Sequence, residues 1–388
     1  MGDVVGNVAI RLEMFEDFSP LQEQWRALQE RADCTFYQTF EWCQSWQSTI
    51  GVVRGYKSRV IAGFTKDGEL VFVLPFGIQK RLGAKVLKWL GTGEMTYGMG
   101  VFCPDYLALR DHRISALWPE ILKTAGSPDL INLVRQPKFW ANRDNPLAFL
   151  FSTRSANQSY TMDLTASFDD LYEKKRSSST RRGNRKRDNK LFAAGNVEFG
   201  LPTTQEDTHI LLEKMQIQQA ARLAKRGITG LDAPEIKAFL FALNAYSKTN
   251  SSAYLLPFNL KIDKHVVAVM LGASFKNSYW ALVASLTSSA DLQRMSPGNY
   301  ALRKTINALC DDGYALFDFS AGDSDYKKHW SDREVHLYES IRVATIKGAP
   351  AGLAKLMTAI IKRLLKNNQS AFNVLSKIRA SIFGSKLS

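Results

Sequence analysis

"QRMSPGNYALRKTINALCDDGYALFDFS", residues 293–320, decides how this chain folds. Ser296 is a good N-cap residue and Pro297 suits the first helical position. Leu302, Ile306, Leu309 and Cys310 then recur at helical spacing until Gly313 stops the helix. Before it, "SYWALVASL" (278–286) reads as a buried strand, and after it "YALFDFS" (314–320) reads as another. Strand, loop, helix, strand is the order of a crossover between parallel strands, and it leaves unpaired helix amides near the carboxyl edge of the first strand. Such a place attracts an anion. The plain alternative is a structural crossover with nothing bound, and this stretch alone favours it.

The chain of 388 residues is long for one core and comfortable for two. Its composition, 45% hydrophobic and 23% charged, is that of a globular protein and excludes disordered and fibrous classes. No apolar run approaches the roughly 18–20 residues that cross a bilayer. "MGDVVGNVAI" carries no basic segment followed by an apolar one, so a cytoplasmic protein is expected. Cys34, Cys43, Cys103 and Cys310 are far apart, and the five histidines form no ligand-spaced cluster. Neither a disulfide framework nor a metal site is therefore expected.

Outward from the opening stretch, the order of elements repeats. The first half has a helix start at Ser19-Pro20-Leu21-Gln22, a short helix in "TFEWCQSWQSTI" (39–50), and a hairpin turning at Asp67-Gly68. A helix (113–125) and a strand (129–136) follow. The second half has a capping pattern at Ser167-Phe168-Asp169-Asp170, helices opening at Thr203–Glu206 and Asp232–Glu235, and a meander turning at Asp263-Lys264 and Lys276-Asn277. Helices, an antiparallel meander, a crossover helix and a last strand, twice over, predict an α/β (α+β) chain of two similar units: 1–165 and 166–346, with a tail at 347–388. The crossover helix of the first half starts near Asp111-His112-Arg113, with an acid where an anion would sit, so an anionic cofactor belongs to the second half.

The run "SPGNYALRKTINALCDDGYALFDFSAGDSDYKKHW", with its S-P-G helix start, D-F-S strand end and following G-D-x-x-Y-K, resembles the GNAT-superfamily acyltransferases of the CelD-like (cellulose and polysaccharide biosynthesis) type. These are related in architecture to the FemAB-type transferases, which also use two GNAT-like units. "FYQTFEWCQSW" resembles the family's aromatic N-terminal element and "LYEKKRSSSTRRGNRKR" its basic helix between the halves. The resemblance implies transfer of an acyl group, usually from an acyl-CoA, to an amine or hydroxyl of an amino-sugar, a polysaccharide precursor or a related acceptor. It also implies two splayed strands with the pantetheine between them and the diphosphate on a helix start. Arg294, Ser296, Pro297, Gly298 and Asn299 would form that start, although the usual phosphate loop has two glycines after its Gln or Arg. An aminoacyl-tRNA donor, as the FemAB kinship implies, stays open, as does a non-catalytic protein that keeps the fold and docks on membrane or nucleic acid.

Acyl transfer needs a base, an oxyanion site and a proton donor. Asp318 or Asp323 is the expected base or acceptor anchor, Tyr326 the proton donor or a donor-site contact, and Lys327 an anion contact. A carboxylate that only caps a turn is an equal reading of Asp318. Trp42, Trp46, Tyr97 and Asp105 are candidates for an acceptor pocket, with core packing the stronger reading of each tryptophan.

The net charge of +14 is local. Residues 174–190 carry nine basic side chains against Asp188, and residues 347–388 carry eight with no acid, so the remainder nets −2. The first run lacks aromatic residues for base stacking, which argues against nucleic acid; a solvated face or a neighbour of the 3′-phosphate of CoA is the expectation. In the tail, Leu353, Leu356, Met357, Ile360, Ile361, Leu364 and Leu365 follow an amphipathic helical pattern that Phe372, Leu375, Ile378 and Ile382 extend. A contact with an inner-membrane surface or an acidic partner, or a helix packed on the enzyme, fits equally.

Overall fold

The computed structural model describes residues 10–108, 112–224, 233–246 and 251–367. They form two compact units, residues 10–158 with Val335–Leu364, and Ser159–Glu334. Each is a mixed sheet flanked by helices, a tandem GNAT-like architecture.

In the first unit the strands Arg11–Phe15, Tyr56–Phe64, Leu70–Arg81 and Ala84–Trp89 form an antiparallel meander. The His112–Thr124 helix then crosses over, and Leu130–Pro137 pairs parallel to Ala84–Trp89 through Val86↔Leu130 and Leu87↔Ile131. Asp111 lies outside the described residues. The next position in this sheet is filled by Leu337–Val343, which pairs antiparallel with Leu130–Pro137. The first unit thus draws its strand from beyond residue 335, and the helix Ala349–Asn367 also packs on it, a division different from boundaries at 165 and 346. The physical reason is pairing: Ser340 lies opposite Leu133 and its hydroxyl accepts from Gln136 Nε2 at 2.7 Å.

The second unit repeats the plan. Val197–Gly200, Tyr254–Ile262, His265–Phe275 and Ser278–Leu286 are antiparallel neighbours. Both expected tight turns are present, with positive φ at Asp263, Lys264, Lys276 and Asn277. The Pro297–Asp311 helix crosses over, and Leu316–Asp318 pairs parallel to the start of Ser278–Leu286. On its other side lies Ser159–Asp163, antiparallel. The helix packs because Ala301, Ile306 and Leu309 line one stripe and are fully buried against Tyr279 and Phe317. The larger aliphatic side chains there each contribute about 1.5–3 kcal/mol.

Three sequence expectations change in detail. The strand read over 314–320 is only Leu316–Asp318. The helix expected from Asp232 is described from Pro234, and Asp232 itself lies outside the described residues, as does the tail from 368, including Phe372, Leu375, Ile378 and Ile382. Ser296 stands at the N-cap position but does not cap with its side chain; its φ of 56° is left-handed.

Candidate active site

The second sheet opens at its centre. Ser278–Leu286 and Leu316–Asp318 stay in register only from Ser278↔Leu316 to Trp280↔Asp318. A bulge follows at once, because Leu271 pairs with Val283 while Gly272 pairs with Ala281, leaving Leu282 without a partner across the ladder. Gly272 is needed there: a Cβ would lie 2.1 Å from Cζ of Tyr279. The Ser320 hydroxyl, on a residue with left-handed φ, donates to the Ala281 carbonyl oxygen and marks the end of contact between the two strands. Beyond it the strands part.

A cavity of about 960 Å³ fills the gap. One wall is the freed strand from Leu282 to Leu286. Another is the start of the Pro297–Asp311 helix, with Ser296, Pro297, Gly298 and Asn299. A third is the Gln205–Ala224 helix, presenting Gln218, Gln219 and Arg222, and Ser324 and Tyr326 close the far side. Asn299 and Tyr300 both direct their N–H to the Ser296 carbonyl oxygen, whereas Pro297 has none to give, so Gly298 carries the first free amide of the helix. Gly298 also permits close packing, since a Cβ on it would approach Leu286 Cδ2 to 2.8 Å. Asn299 Oδ1 accepts from Arg303 Nε at 3.0 Å, and Arg303 continues to Asp188 Oδ1 at 2.5 Å on the basic Ser178–Ala193 helix.

The expected site residues separate into three groups. Ser296, Pro297, Gly298, Asn299 and Tyr326 meet at the cavity. Arg294 does not line it; its side chain is 80% exposed and pairs with Asp291 one turn back. Asp318, Asp323 and Lys327 form a charged group near one another and do not line the cavity. Asp318 is fully buried and accepts from the Ser320 N–H at 2.7 Å, the capping arrangement that was the alternative to catalysis. Asp323 accepts from the Tyr160 hydroxyl at 2.7 Å. Lys327, expected as an anion contact, is buried and gives its protons to the carbonyl oxygens of Ser320 and Ala321, so it holds a loop. Burial lowers its pKa to about 8, against the opposing pull of Asp318 and Asp323. Burial also raises the phenol pKa of Tyr326, whose ring packs edge-on to Phe319.

The acceptor-pocket expectation fares differently. Trp42, Trp46 and Tyr97 lie inside the first unit and line none of the described cavities. Trp42 packs edge-on to Tyr37 and Phe36, Trp46 packs on Tyr56 and donates to Glu94 Oε2 at 2.7 Å, and Tyr97 packs on Trp140. Their aromatic surface is spent on the core. Asp105 is exposed at the start of a short helix. The residues that sequence reasoning missed are Gln218, Gln219 and Arg222. Their signal is faint, because the Gln205–Ala224 helix has a polar stretch, "QIQQAAR", where a flank would be amphipathic.

Residues 178–328 match the family model described as an acetyltransferase (GNAT) domain. No curated protein matches the chain. Among solved structures, FemX is similar over 83% of this chain and 96% of its own, with 12% identity and a TM-score of 0.55. A conserved protein of unknown function from Bacteroides thetaiotaomicron is similar over 85% and 99%, with 13% identity and a TM-score of 0.51. The C-terminal domain of a protein described as a lysylphosphatidylglycerol synthetase from Agrobacterium fabrum covers 81% and 94%, at 12% and 0.51. These likenesses are likenesses of fold. Together with the open strand pair, the family match over 178–328 makes the second unit an acyltransferase domain of the GNAT type.

Proposed function

We propose that the chain moves an acyl group from an acyl-CoA to an amine or hydroxyl of an amino-sugar, a polysaccharide precursor or a related acceptor, as the CelD-like resemblance implies. The observation that carries this reading is the cavity at the parting of Ser278–Leu286 from Leu316–Asp318, which runs up to the free amide of Gly298. The pantetheine amides would pair with the strand edge freed after Trp280, and the diphosphate would rest on the free amide of Gly298, beside the Asn299 side chain.

The acceptor heteroatom attacks the thioester carbonyl carbon, and the oxyanion that forms is met by backbone N–H groups of the freed strand. The C–S bond then breaks. Tyr326, a neutral phenol at the cavity wall, gives its proton to the leaving thiolate. The acceptor's proton passes to Asp323 or to water. Asp318 and Lys327 act from behind, fixing the 320–323 loop that carries Asp323 towards Tyr160.

Hydrogen exchange with and without acetyl-CoA tests the placement. Slowed exchange confined to 281–287 and 298–300 is expected; unchanged exchange in both segments contradicts it. One observation favours a second reading. The Ser178–Ala193 helix exposes Arg182, Arg185, Lys186, Arg187 and Lys190, and Asp188 ties it to Arg303 of the cavity helix, so a charged tRNA, as in the FemAB resemblance, would have phosphate contacts beside the cavity. Transfer from aminoacyl-tRNA with no response to any acyl-CoA decides for it.

A further inference from the structure

The helix Ala349–Asn367 is seated on the first sheet by its small residues. Ala351 is 5% exposed against Ala84, Val86 and Leu130. A Cβ on Gly352 would come within 2.6 Å of Val343 Cγ2, and one on Gly348 within 2.0 Å of the Asp129 carbonyl oxygen. With the small face turned inward, the large apolar side chains face out: Leu353, Leu356, Met357 and Ile360 are 63%, 47%, 52% and 47% exposed. Their spacing puts them on one stripe of the helix. No residue from 347 to the end is acidic, and eight are basic.

Beside this stripe lies a cavity of about 380 Å³, bounded by the helix at Ala351, Ala354, Lys355 and Thr358 and by the hairpin at Arg81, Leu82 and Lys88. Lys88 is 6% exposed, an ammonium inside the unit held by Gln79 Oε1 at 2.7 Å and the Tyr56 hydroxyl at 3.3 Å, both neutral. Arg81 Nε donates to the same Gln79 oxygen at 3.0 Å. Lys355 and Arg81 are the charges that act on Lys88, and both push against its positive form. A buried ammonium with neutral partners and two cations nearby is costly unless an anion completes the group. Leu82, 72% exposed at the hairpin tip, puts an apolar side chain at the rim of the same cavity.

We propose that this face of the first unit docks on an anionic phospholipid bilayer: a lipid phosphate enters the cavity between Arg81, Lys88 and Lys355, while Leu82 and the stripe Leu353, Leu356, Met357 and Ile360 meet the acyl-chain boundary. Charge complementarity selects this occupant. An apolar stripe flanked by cations with no acid matches an anionic interface, where phosphate and hydrocarbon lie a few ångströms apart. The proposal does not depend on the acyl-transfer reading.

The test is flotation of the full chain with vesicles of phosphatidylcholine alone and of phosphatidylcholine mixed with phosphatidylglycerol. The wild type is expected to float with the mixed vesicles and to lose that binding as salt is raised. Arg81→Glu with Lys355→Glu, both on exposed residues, should weaken partition at least about tenfold, since each surface cation is worth roughly fivefold. Leu356→Asp with Met357→Asp should abolish it. Failure of the wild type to float, or equal flotation of all three proteins, overturns the proposal. So does a dimer that Leu356→Asp with Met357→Asp dissociates while no protein floats, which would give the stripe to a second copy. Binding of inorganic phosphate that Lys355→Glu removes while flotation stays unchanged would assign the cavity to a free anion and overturn it equally.

Discussion

Lys327 Nζ donates to the Ser320 carbonyl oxygen at 3.0 Å, joining the Asp325–Trp330 helix to the loop at the mouth of the open strand pair. A second bond to the Ala321 carbonyl oxygen, at 3.2 Å, leaves the ammonium inside the loop. Lys327→Met removes the donor of both bonds to part-buried acceptors and takes away a cation that acts on Asp318. It should cost about 1–3 kcal/mol in urea unfolding and lower turnover without changing the acceptor preference. A variant as stable as wild type contradicts the positioning role.

The same lysine sets a pH dependence. Its pKa in the folded chain is about 8, against 10.5 for an unburied lysine, and Lys88 shows the same depression. Between these values the unfolded chain holds more protons than the folded one, so these two groups make stability rise with pH from about 8 to about 10.5. Urea midpoints measured across that window should rise less steeply in Lys88→Met or Lys327→Met than in wild type. Parallel slopes in all three proteins refute this origin.

Tyr326 lines the cavity and is the candidate proton donor. Tyr326→Phe keeps the ring against Phe319 and deletes only the hydroxyl, so the unfolding midpoint should hold while kcat falls about a hundredfold. An unchanged kcat removes Tyr326 from the chemistry.

Trp46 is wholly buried, edge-to-face with Tyr56 and with Glu94 on its indole nitrogen. Trp46→Ala should destabilise the first unit by about 3–5 kcal/mol, as deletion of a large core side chain does. At a temperature where the variant is folded, its KM for acceptor should match wild type; a selective rise in KM restores the acceptor-pocket reading.

The architecture was legible where local and periodic signals agree. The Asp263-Lys264 and Lys276-Asn277 turns fix the meander by short-range chemistry, and Pro297 with the Leu302, Ile306 and Leu309 spacing fixes the crossover helix. The exchange of Leu337–Val343 into the first sheet was not legible, because pairing with Leu130–Pro137 is set by partners two hundred residues away and leaves no local mark. At the site, Gly298 and Asn299 were readable as a helix start. Gln218, Gln219 and Arg222 were not, since only tertiary packing brings the Gln205–Ala224 helix over the open strand. Trp42, Trp46 and Tyr97 show the converse: residue types that suit a sugar ring suit a core as well, and burial alone tells them apart.

The measurement closest to the central claim is titration of acetyl-CoA, longer acyl-CoAs and free CoA into wild type and Asn299→Asp. The aspartate keeps an acceptor for Arg303 Nε, so the helix start should stay folded, and it adds one negative charge where the diphosphate would rest. Saturable binding in wild type, weakened at least about tenfold in Asn299→Asp with an unchanged unfolding midpoint, is the predicted result. No binding of any CoA species to wild type, or equal binding to both proteins, would contradict an acyl-CoA donor held at the Pro297–Asp311 helix.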